Sequence, residues 1–275
     1  MAVPALRALV ADGHEVVLVV SQPDKKRGRG GALLPSPVKA AAVELALPVT
    51  DKVDDVIDAG AELGVVVAFG RLIKPHVLAA LPMVNIHFSL LPRWRGAAPL
   101  ERAILAGDTE TGVCLMALEE GLDTGPVYAC ERLAIGDDET AEELRARLVE
   151  AGTTLLVDAL RRGLGDPAPQ EGETTYADKL DPAELRIDWT RPAQEIHRVV
   201  RLGRAWTTFR DHRLRVLDAR RVDVGPGAGA LDGVVVGSGD GRGIELVTVQ
   251  PEGKQPQPAT AWRNGARPQP GELLV

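Results

Sequence analysis

The sequence has few of the residues that build disulfide frameworks and metal sites, and no apolar run approaches the roughly 18 residues that a membrane helix needs. It contains 2 cysteines, 5 histidines and 3% aromatic residues among 275. The histidines, at positions 14, 76, 87, 197 and 212, lack the paired spacing of metal ligands. We therefore expect no metal. The N-terminus also lacks a basic segment followed by a continuous apolar core, so we expect a cytoplasmic protein without membrane association.

The two cysteines, Cys114 and Cys130, both lie in apolar segments that are typical of strands. Two cysteines are too few for a disulfide framework, and disulfides are rare in cytoplasmic proteins. The sequence therefore favours reduced thiols that belong to the core.

Charge is unevenly distributed along the chain. The formal net charge is −7, but residues 181–275 contain 14 basic and 12 acidic residues and form the more basic part. Between Arg198 and Arg221 there are eight arginines and two acidic residues. This excess suits a polyanionic partner, and a solvated charged face is an equally good interpretation.

Helices and short apolar strands alternate through the first two thirds of the chain, which predicts a doubly wound α/β domain with a mainly parallel sheet, ending in an antiparallel strand. Predicted helices cover 3–11, 38–47, 54–63, 71–81, 100–106 and 140–164, the last with a possible break at Gly152. Predicted strands cover 16–20, 65–69, 84–88, 111–118 and 127–133. A helix over 192–202 and short strands over 213–217, 233–237 and 244–249 predict a small β-barrel or sandwich. We expect domains over 1–166 and 187–275 with a linker over 167–186.

A long loop between Gln22 and Pro37 places four cations on a Gly-rich backbone: Lys25, Lys26, Arg27 and Arg29. Such a loop can fold around phosphates. Its spacing does not match a phosphate-binding P-loop, and a disordered surface insertion explains its composition equally well.

The strand predicted over Val84–Phe88 is the clearest candidate site. Side chains two residues apart share a face of a strand, so Asn85 and His87 point to the same side. A Pro- and Gly-rich loop follows, which places both residues near the carboxyl end of a strand, where open α/β sheets bind ligands. His87 alone would be a hydrogen-bonded core histidine, but Asn85 and the irregular loop favour a site.

Asp123 lies in a turn flanked by Gly121 and Gly125 and can complete this site. An Asn and a protonated His can stabilise the oxyanion of a tetrahedral intermediate, and an Asp can keep the His charged or help to move a proton. This set suits acyl transfer without a covalent enzyme intermediate. Asp123 can instead serve as a side-chain cap of its turn. Ser89 as a nucleophile is less favoured because it lacks the Gly-x-Ser-x-Gly elbow.

Several motifs closely resemble the folate-dependent formyltransferase family, in particular its members that act on methionyl-tRNA. The most specific are Val84–Pro99, Gly107–Gly112 and Gly121–Gly125, joined by Gln22–Asp24, Leu34–Lys39, Thr175–Leu180 and Arg186–Trp189. The resemblance covers nearly the whole chain. It implies a Rossmann-like domain followed by an OB-like β-barrel, and formyl transfer from 10-formyltetrahydrofolate to the amino group of methionyl initiator tRNA.

The resemblance also implies residue roles, which we carry over as expectations. Asn85, His87 and Asp123 match the catalytic set. Folate contacts fall on Ser89, Leu90, Leu91, Pro92, Phe69 and Gly70. Contacts to tRNA fall on Lys25, Lys26, Arg27, Arg29, Arg201 and Arg204. We expect the protein to work as a monomer.

Two departures from the family accompany this resemblance. The segment between Pro48 and Val65 is shorter than usual, and the family's opening strand with its Gly-Thr-Pro turn is absent, so we expect the natural protein to begin about ten residues upstream. Other activities could use the same residues: hydrolysis of 10-formyltetrahydrofolate or formylation of an amino sugar. A truncated, non-catalytic RNA-binding remnant is a further alternative, and the basic C-terminal part disfavours the hydrolase and the sugar enzyme.

Overall fold

The chain folds into two compact units in the computed structural model, which describes residues 1–27, 31–269 and 271–275. The first unit comprises Met1–Pro99, Glu110–Ala134 and Ala146–Ala177. The second comprises Leu100–Thr109, Ile135–Arg145 and Asp178–Val275. The domain boundaries expected near residues 166 and 187 stay predictions. Within the described residues, no helix is both long and apolar enough to cross a membrane.

The first 177 residues alternate between helices and short strands, as the sequence predicts, and the α/β fold class is confirmed. The helices are α1 (Ala2–Ala11), α2 (Pro37–Glu44), α3 (Pro75–Ala80), α4 (Pro99–Ala106) and α5 (Ala141–Arg162). The strands are β1 (Val19–Val20), β2 (Lys25–Arg27), β3 (Ala32–Leu34), β4 (Val49–Thr50), β5 (Gly64–Val67), β6 (Met83–His87), β7 (Arg95–Gly96), β8 (Glu110–Ala117), β9 (Val127–Ala134) and β10 (Tyr176–Ala177).

One predicted helix is wrong. Residues 54–63 form only a short 3-10 turn at Val53–Val56, followed by irregular chain. Three aspartates and a glycine within this stretch disfavour a helix interior, because Asp side chains compete for backbone hydrogen bonds and Gly has high backbone entropy.

The main sheet of the first unit has the order β5-β6-β8-β9. Parallel pairing joins β5 to β6, and antiparallel pairing joins β6 to β8 and β8 to β9. Strands β1 and β4 form a separate parallel pair. All five residues of β6 are buried, as expected for a strand with neighbours on both sides. The strand that ends in His87 therefore has little freedom to move.

The prediction of reduced thiols is wrong, because a disulfide joins Cys114 to Cys130. The two residues are direct partners in the register of β8 and β9. Cys114 is fully buried, whereas Cys130 is exposed. The expected compartment favours thiols, but the pairing of β8 with β9 brings together two cysteines that are 16 positions apart in the sequence.

Helix α5 has 22 residues and continues through Gly152 without a break. Its start is fixed by a capping box in which the Thr140 hydroxyl accepts from the Glu143 amide and the Glu143 carboxylate accepts from the Thr140 amide. Gly152 is there because of packing: a Cβ at this position would lie 2.8 Å from Ile86 Cγ2 and 3.0 Å from Val113 Cγ2. The glycine lets the helix approach the sheet beneath β6 and β8.

The C-terminal part of the second unit, Asp178–Val275, is built on an antiparallel sheet with two α-helices among its described residues. Its helices are α6 (Ala193–Arg201) and α7 (Ala259–Ala266), and its strands are β11 (Trp206–Phe209), β12 (His212–Val222), β13 (Leu231–Asp232), β14 (Val235–Gly237), β15 (Gly243–Pro251) and β16 (Gln257–Pro258). The sheet order is β11-β12-β15-β14-β13, with β16 on β15. Buried Trp189, Leu214, Ile244 and Trp262 belong to its core. The expected β-rich C-terminal part is confirmed. The strands at the two ends of this order, β11 and β13, are not paired with each other in the described sheet.

We expect Gly152→Val to destabilise the first unit. Its methyl groups would overlap Ile86 and Val113, and overpacking of this kind typically costs about 1–3 kcal/mol. Ala146→Val, at an exposed position of the same helix, is the matched control and should cost less than about 1 kcal/mol. Denaturant unfolding measures both. Equal losses for the two variants would contradict the packing role.

Candidate active site

The candidate site lies where β5 and β6 end. These strands are parallel, with Val67 paired to Ile86, so the segments that follow them leave the same edge of the sheet. Asn85 and His87 alternate with the core residues of β6 and are 9% and 5% exposed. Phe69 is half-buried and Gly70 is exposed just after β5. The structure thus brings these four predicted site residues to one edge of the sheet.

The imidazole of His87 has a defined orientation. Its Nε2 lies 3.0 Å from the carbonyl oxygen of Trp94. A carbonyl oxygen can only accept a hydrogen bond, so Nε2 must carry the proton and donate it. The other nitrogen, Nδ1, lies 3.5 Å from Oδ2 of Asp123. In the neutral ring this second nitrogen has a free lone pair.

Burial lowers the pKa of His87 below its usual value. The Asp123 carboxylate and the hydrogen bond to the Trp94 carbonyl act in the opposite direction, and the charge of Arg95 adds to the lowering. Burial is the largest of these effects and favours the neutral form of His87. The protonated histidine considered from the sequence stays a prediction. In the neutral ring, Nδ1 is a base that can accept a proton.

Asp123 reaches His87 from the loop between β8 and β9. Its backbone has a φ of 50°, and its Oδ2 accepts a 2.8 Å hydrogen bond from the amide of Gly96. Gly96 has a φ of 124°, and a Cβ there would lie 2.9 Å from the carbonyl oxygen of Ala177, so only glycine fits. The carboxylate is therefore held beside the imidazole, and its role is not limited to capping its own turn.

Asn85 has a free side chain amide. Within the described parts of the chain, the amide makes no hydrogen bond to another protein group. A side chain amide on the same strand face as a buried imidazole, and with unused donors, is suited to bind an oxygen atom of a ligand.

The loop after β6 is held together by its own hydrogen bonds. Ser89 is fully buried, and its hydroxyl donates to the carbonyl of Arg93 over 2.6 Å. Since this donor is already used, the structure disfavours Ser89 as a nucleophile. Leu90 packs against Gly112, the Leu91–Pro92 peptide bond is cis, and Pro92 is buried. Four of the six residues expected to contact folate thus form one turn held by internal contacts.

Residues 168–177, which we call the strap segment, contact the site although the sequence predicts a linker there. The amide and carbonyl of Ala168 pair with Val127, and β10 pairs with β7. Within this segment, Gln170 bonds to the Asp123 loop and Thr175 bonds to Trp94. Sequence reasoning missed Gln170. The sequence indicates the importance of this segment only through the Thr175–Leu180 motif, to which the resemblance assigns no role.

The basic loop forms a β-hairpin where the sequence predicts a loop. Strand β2 pairs with β3, and Lys25 and Lys26 are exposed. Hydrogen bonds tie its two ends together: Ser21 Oγ lies 2.5 Å from Ser36 Oγ, and Lys39 Nζ lies 2.8 Å from Asp24. Arg27 belongs to β2, and Arg29 lies outside the described residues.

The two arginines predicted to contact RNA in the second unit differ in exposure. Arg204 is exposed. Arg201 is 8% exposed, and its guanidinium donates to the carbonyls of Glu139 and Gly136 over 2.6 and 2.8 Å. Its donors therefore serve the fold, and we do not retain Arg201 as an RNA contact. Among the described residues, no three His, Cys, Asp or Glu side chains form a group that could hold a metal ion.

Both the sequence and the fold of this chain are similar to those of known formyltransferases. The family model described as "Formyl transferase" matches residues 3–160, and "Formyl transferase, C-terminal domain" matches 179–267. The methionyl-tRNA formyltransferase of Roseobacter denitrificans is 44% identical, over 99% of this chain and 95% of its own length. That of Paracoccus denitrificans is 46% identical, over 96% and 93%. The fold is similar to an N-formyltransferase from Helicobacter canadensis solved with folinic acid and dTDP-3-aminofucose, at a TM-score of 0.68 and 17% identity, covering 89% of this chain and 94% of that one.

We expect Asp123→Asn to lower the pKa of His87 further, because the carboxylate charge stabilises the imidazolium. Titration of the His87 ring signals by NMR measures this change in the absence of any substrate. The signals of His197, in the second unit, provide a control within the same spectra and should not move. An unchanged titration of His87 would show that the imidazole does not sense the charge of Asp123.

Proposed function

Because this chain belongs to the formyl transferase family, we propose that it transfers a formyl group from 10-formyltetrahydrofolate to the amino group of methionyl initiator tRNA. The relatives that carry the name methionyl-tRNA formyltransferase match nearly the full length of the chain. A solved structure with the same fold contains folinic acid, which supports a folate as the formyl donor.

The arrangement around His87 is the observation that carries this proposal. When an amine becomes a formamide, its nitrogen loses one proton. A neutral imidazole with a free Nδ1 can accept that proton. The resulting imidazolium would lie between the Trp94 carbonyl and the Asp123 carboxylate, which both favour the charged ring. The same two groups that orient the base thus stabilise its product.

Asn85 supplies the complementary function in this proposal. As the amine attacks the formyl carbon, negative charge develops on the formyl oxygen, and the free amide of Asn85 can donate a hydrogen bond to it. When the bond between the formyl carbon and the folate nitrogen breaks, that nitrogen needs a proton, which the imidazolium of His87 can return. The protein therefore ends the cycle in its starting protonation state, without a covalent intermediate or a metal.

We propose that the folate donor lies against the turn formed by Ser89, Leu90, Leu91 and Pro92, with Phe69 and Gly70 on its other side. These residues surround the edge at which Asn85 and His87 lie. Since the hydroxyl of Ser89 is bound to Arg93, Ser89 would contribute through its backbone.

We propose that the tRNA is held by cations on two parts of the chain. The first part contributes the exposed Lys25 and Lys26 together with Arg27 and Arg29, and the second unit contributes the exposed Arg204. The hairpin is attached through Ser21 and Ser36, next to the Gln22 side chain, which donates to the carbonyl of Phe69 at the folate edge. We also propose that the protein works as a monomer in the cytoplasm, where charged initiator tRNA is found.

The decisive experiment is an assay of formyl transfer to charged initiator tRNA, with release of free formate from the same donor measured in parallel. The proposal expects formyl-methionyl-tRNA as the product. Formate release without tRNA modification would indicate the hydrolase, and formylation of an amino sugar alone would indicate the sugar enzyme. Tight tRNA binding without turnover of any donor would indicate a non-catalytic protein.

We expect Asn85→Ala to reduce kcat by about 100- to 1000-fold, the usual loss when one oxyanion donor is removed. We expect His87→Ala to reduce kcat by about 100- to 10,000-fold, the usual contribution of a general base. The Michaelis constants for both substrates should change little, because these groups act on the reacting atoms. Single-turnover kinetics with saturating substrates measures the effect. A near-parent rate in either variant would contradict its assignment to the catalytic set.

We expect the double variant Lys25→Ala/Lys26→Ala to weaken tRNA binding and to reduce its salt dependence. The slope of log K against log salt should become shallower by about 0.9 for each phosphate that these lysines no longer neutralise. Lys52→Ala/Lys74→Ala, which removes two exposed lysines elsewhere in the first unit, is the matched control. If both double variants keep the parent slope, the hairpin does not bind the phosphate backbone.

A further inference from the structure

Two residues of the strap segment each bind one partner of His87. Gln170 bonds to the loop that carries Asp123, and Thr175 bonds to Trp94. Neither residue contacts the imidazole itself through a hydrogen bond in the described structure. Both partners of the base are therefore held from one stretch of chain that lies outside the strand and loops bearing the catalytic set.

We propose that Gln170 and Thr175 are positioning residues, which fix Asp123 and the Trp94 carbonyl against the two nitrogens of His87. The proposal deepens the function proposed above and rests on it wherever formyl transfer is the readout.

Gln170 uses its full hydrogen-bonding capacity. Its side chain nitrogen donates to the carbonyls of Asp123 and Gly125, both over 2.8 Å. Its side chain oxygen accepts from Nε and Nη2 of Arg95, over 3.0 and 2.6 Å. An amide has two N–H donors and one oxygen with two lone pairs, so each is satisfied. Gln170 thus clamps the Asp123 loop on both sides of Thr124, where the backbone of Asp123 has a positive φ.

Thr175 fixes the other partner. Its hydroxyl oxygen accepts from the amide of Trp94 over 2.9 Å, and its carbonyl accepts from the amide of Arg95 over 2.9 Å. Trp94 has a φ of 62°, a conformation that a non-glycine residue adopts only when its surroundings hold it. The carbonyl of this same residue accepts the hydrogen bond from Nε2 of His87. Loss of the Thr175 hydroxyl would therefore loosen the group that determines which nitrogen of His87 is free.

The interaction between His87 and Asp123 is sensitive to small displacements of either residue. Nδ1 of His87 and Oδ2 of Asp123 are 3.5 Å apart, so a shift of either loop would change this distance directly. A misplacement of about 1 Å in a catalytic arrangement can reduce the rate by roughly 100-fold. Because Gln170 and Thr175 act on the geometry of the base, we expect their loss to change kcat and to leave the Michaelis constants nearly unchanged.

The charged groups that face His87 in the described structure are Asp123 and Arg95. Cys114, its partner on β8, is bound in the disulfide and does not titrate. Gln170 binds Arg95 as well as the Asp123 loop, so removal of its side chain would move two opposite charges at once. Gln170→Glu keeps a partner for Arg95: its carboxylate still accepts from Arg95, but it cannot donate to the carbonyls of Asp123 and Gly125. Because it adds a charge near His87, this variant is compared by its kinetics and is not used in the titration of His87.

The first test compares Thr175→Val with Thr174→Val. The two threonines are adjacent, and Thr174 is exposed. Thr175→Val should reduce kcat for formyl transfer by about 10- to 100-fold with Michaelis constants within about threefold of the parent. Thr174→Val should match the parent. Thr175→Ser, which keeps the hydroxyl, should restore kcat to within about threefold of the parent.

The second test applies the same kinetic comparison to Gln170→Glu, with Glu171→Gln as the control at an exposed neighbouring position. We expect a loss of kcat of about 10- to 100-fold in Gln170→Glu alone. Melting curves identify any variant that does not fold, in which case Thr175→Ala and Gln170→Asn take its place with the same expectations.

A third measurement does not depend on activity. NMR titration of the free protein should show a lower pKa of His87 in Thr175→Val than in Thr174→Val, because the Trp94 carbonyl favours the imidazolium. If the parent fails to formylate tRNA, the proposed function is wrong, and this titration still decides the role of the strap segment. Unchanged His87 titration together with parent-like kcat would overturn the inference. A loss of activity that appears only in the Michaelis constants would also overturn it.

Discussion

The hydrogen bond from Nε2 of His87 to the Trp94 carbonyl is the interaction on which the site depends. It commits one ring nitrogen to the protein and leaves the other free toward Asp123. Burial at the end of β6 then lowers the pKa of His87 and favours the neutral ring, because an imidazolium in this place would be poorly solvated. A neutral ring with one defined free nitrogen is the form that can accept a proton from an amine.

That bond requires an unusual backbone path. The chain leaves β6, turns through Ser89–Pro92 and brings Trp94 back over the end of its own strand with a positive φ. A polypeptide does not hold such a conformation through local preference, so other parts of the first unit must supply the restraint. The strap segment supplies it by hydrogen bonds to Trp94 and Arg95 and by the short pairing of β10 with β7.

The buried residues proposed for catalysis and the exposed lysines proposed for tRNA binding lie on different elements of the first unit. Asn85 and His87 lie on the buried strand β6, between β5 and β8, and Gly152 allows α5 to pack closely beneath that part of the sheet. The exposed lysines project from a small hairpin whose ends are tied together by Ser21 with Ser36 and Asp24 with Lys39. Reacting groups need fixed positions to be effective, whereas phosphate contacts depend mainly on charge and tolerate side chain freedom.

The sequence by itself determined the α/β class, the positions of most helices and strands, and the alignment of Asn85 and His87 on one face. Each of these follows from local rules: apolar periodicity, capping residues and the two-residue repeat of a strand. Only the tertiary structure decided that Asp123 reaches His87, that Cys114 pairs with Cys130, that Arg201 is buried, and that residues 168–177 hold the site together. These facts depend on which distant segments become neighbours, and hydrogen bonds between residues 47 or 81 positions apart leave no periodic signal along the chain. The lowered pKa of His87 also depends on the tertiary structure, because burial is a property of the packed molecule and the order of its residues does not reveal it.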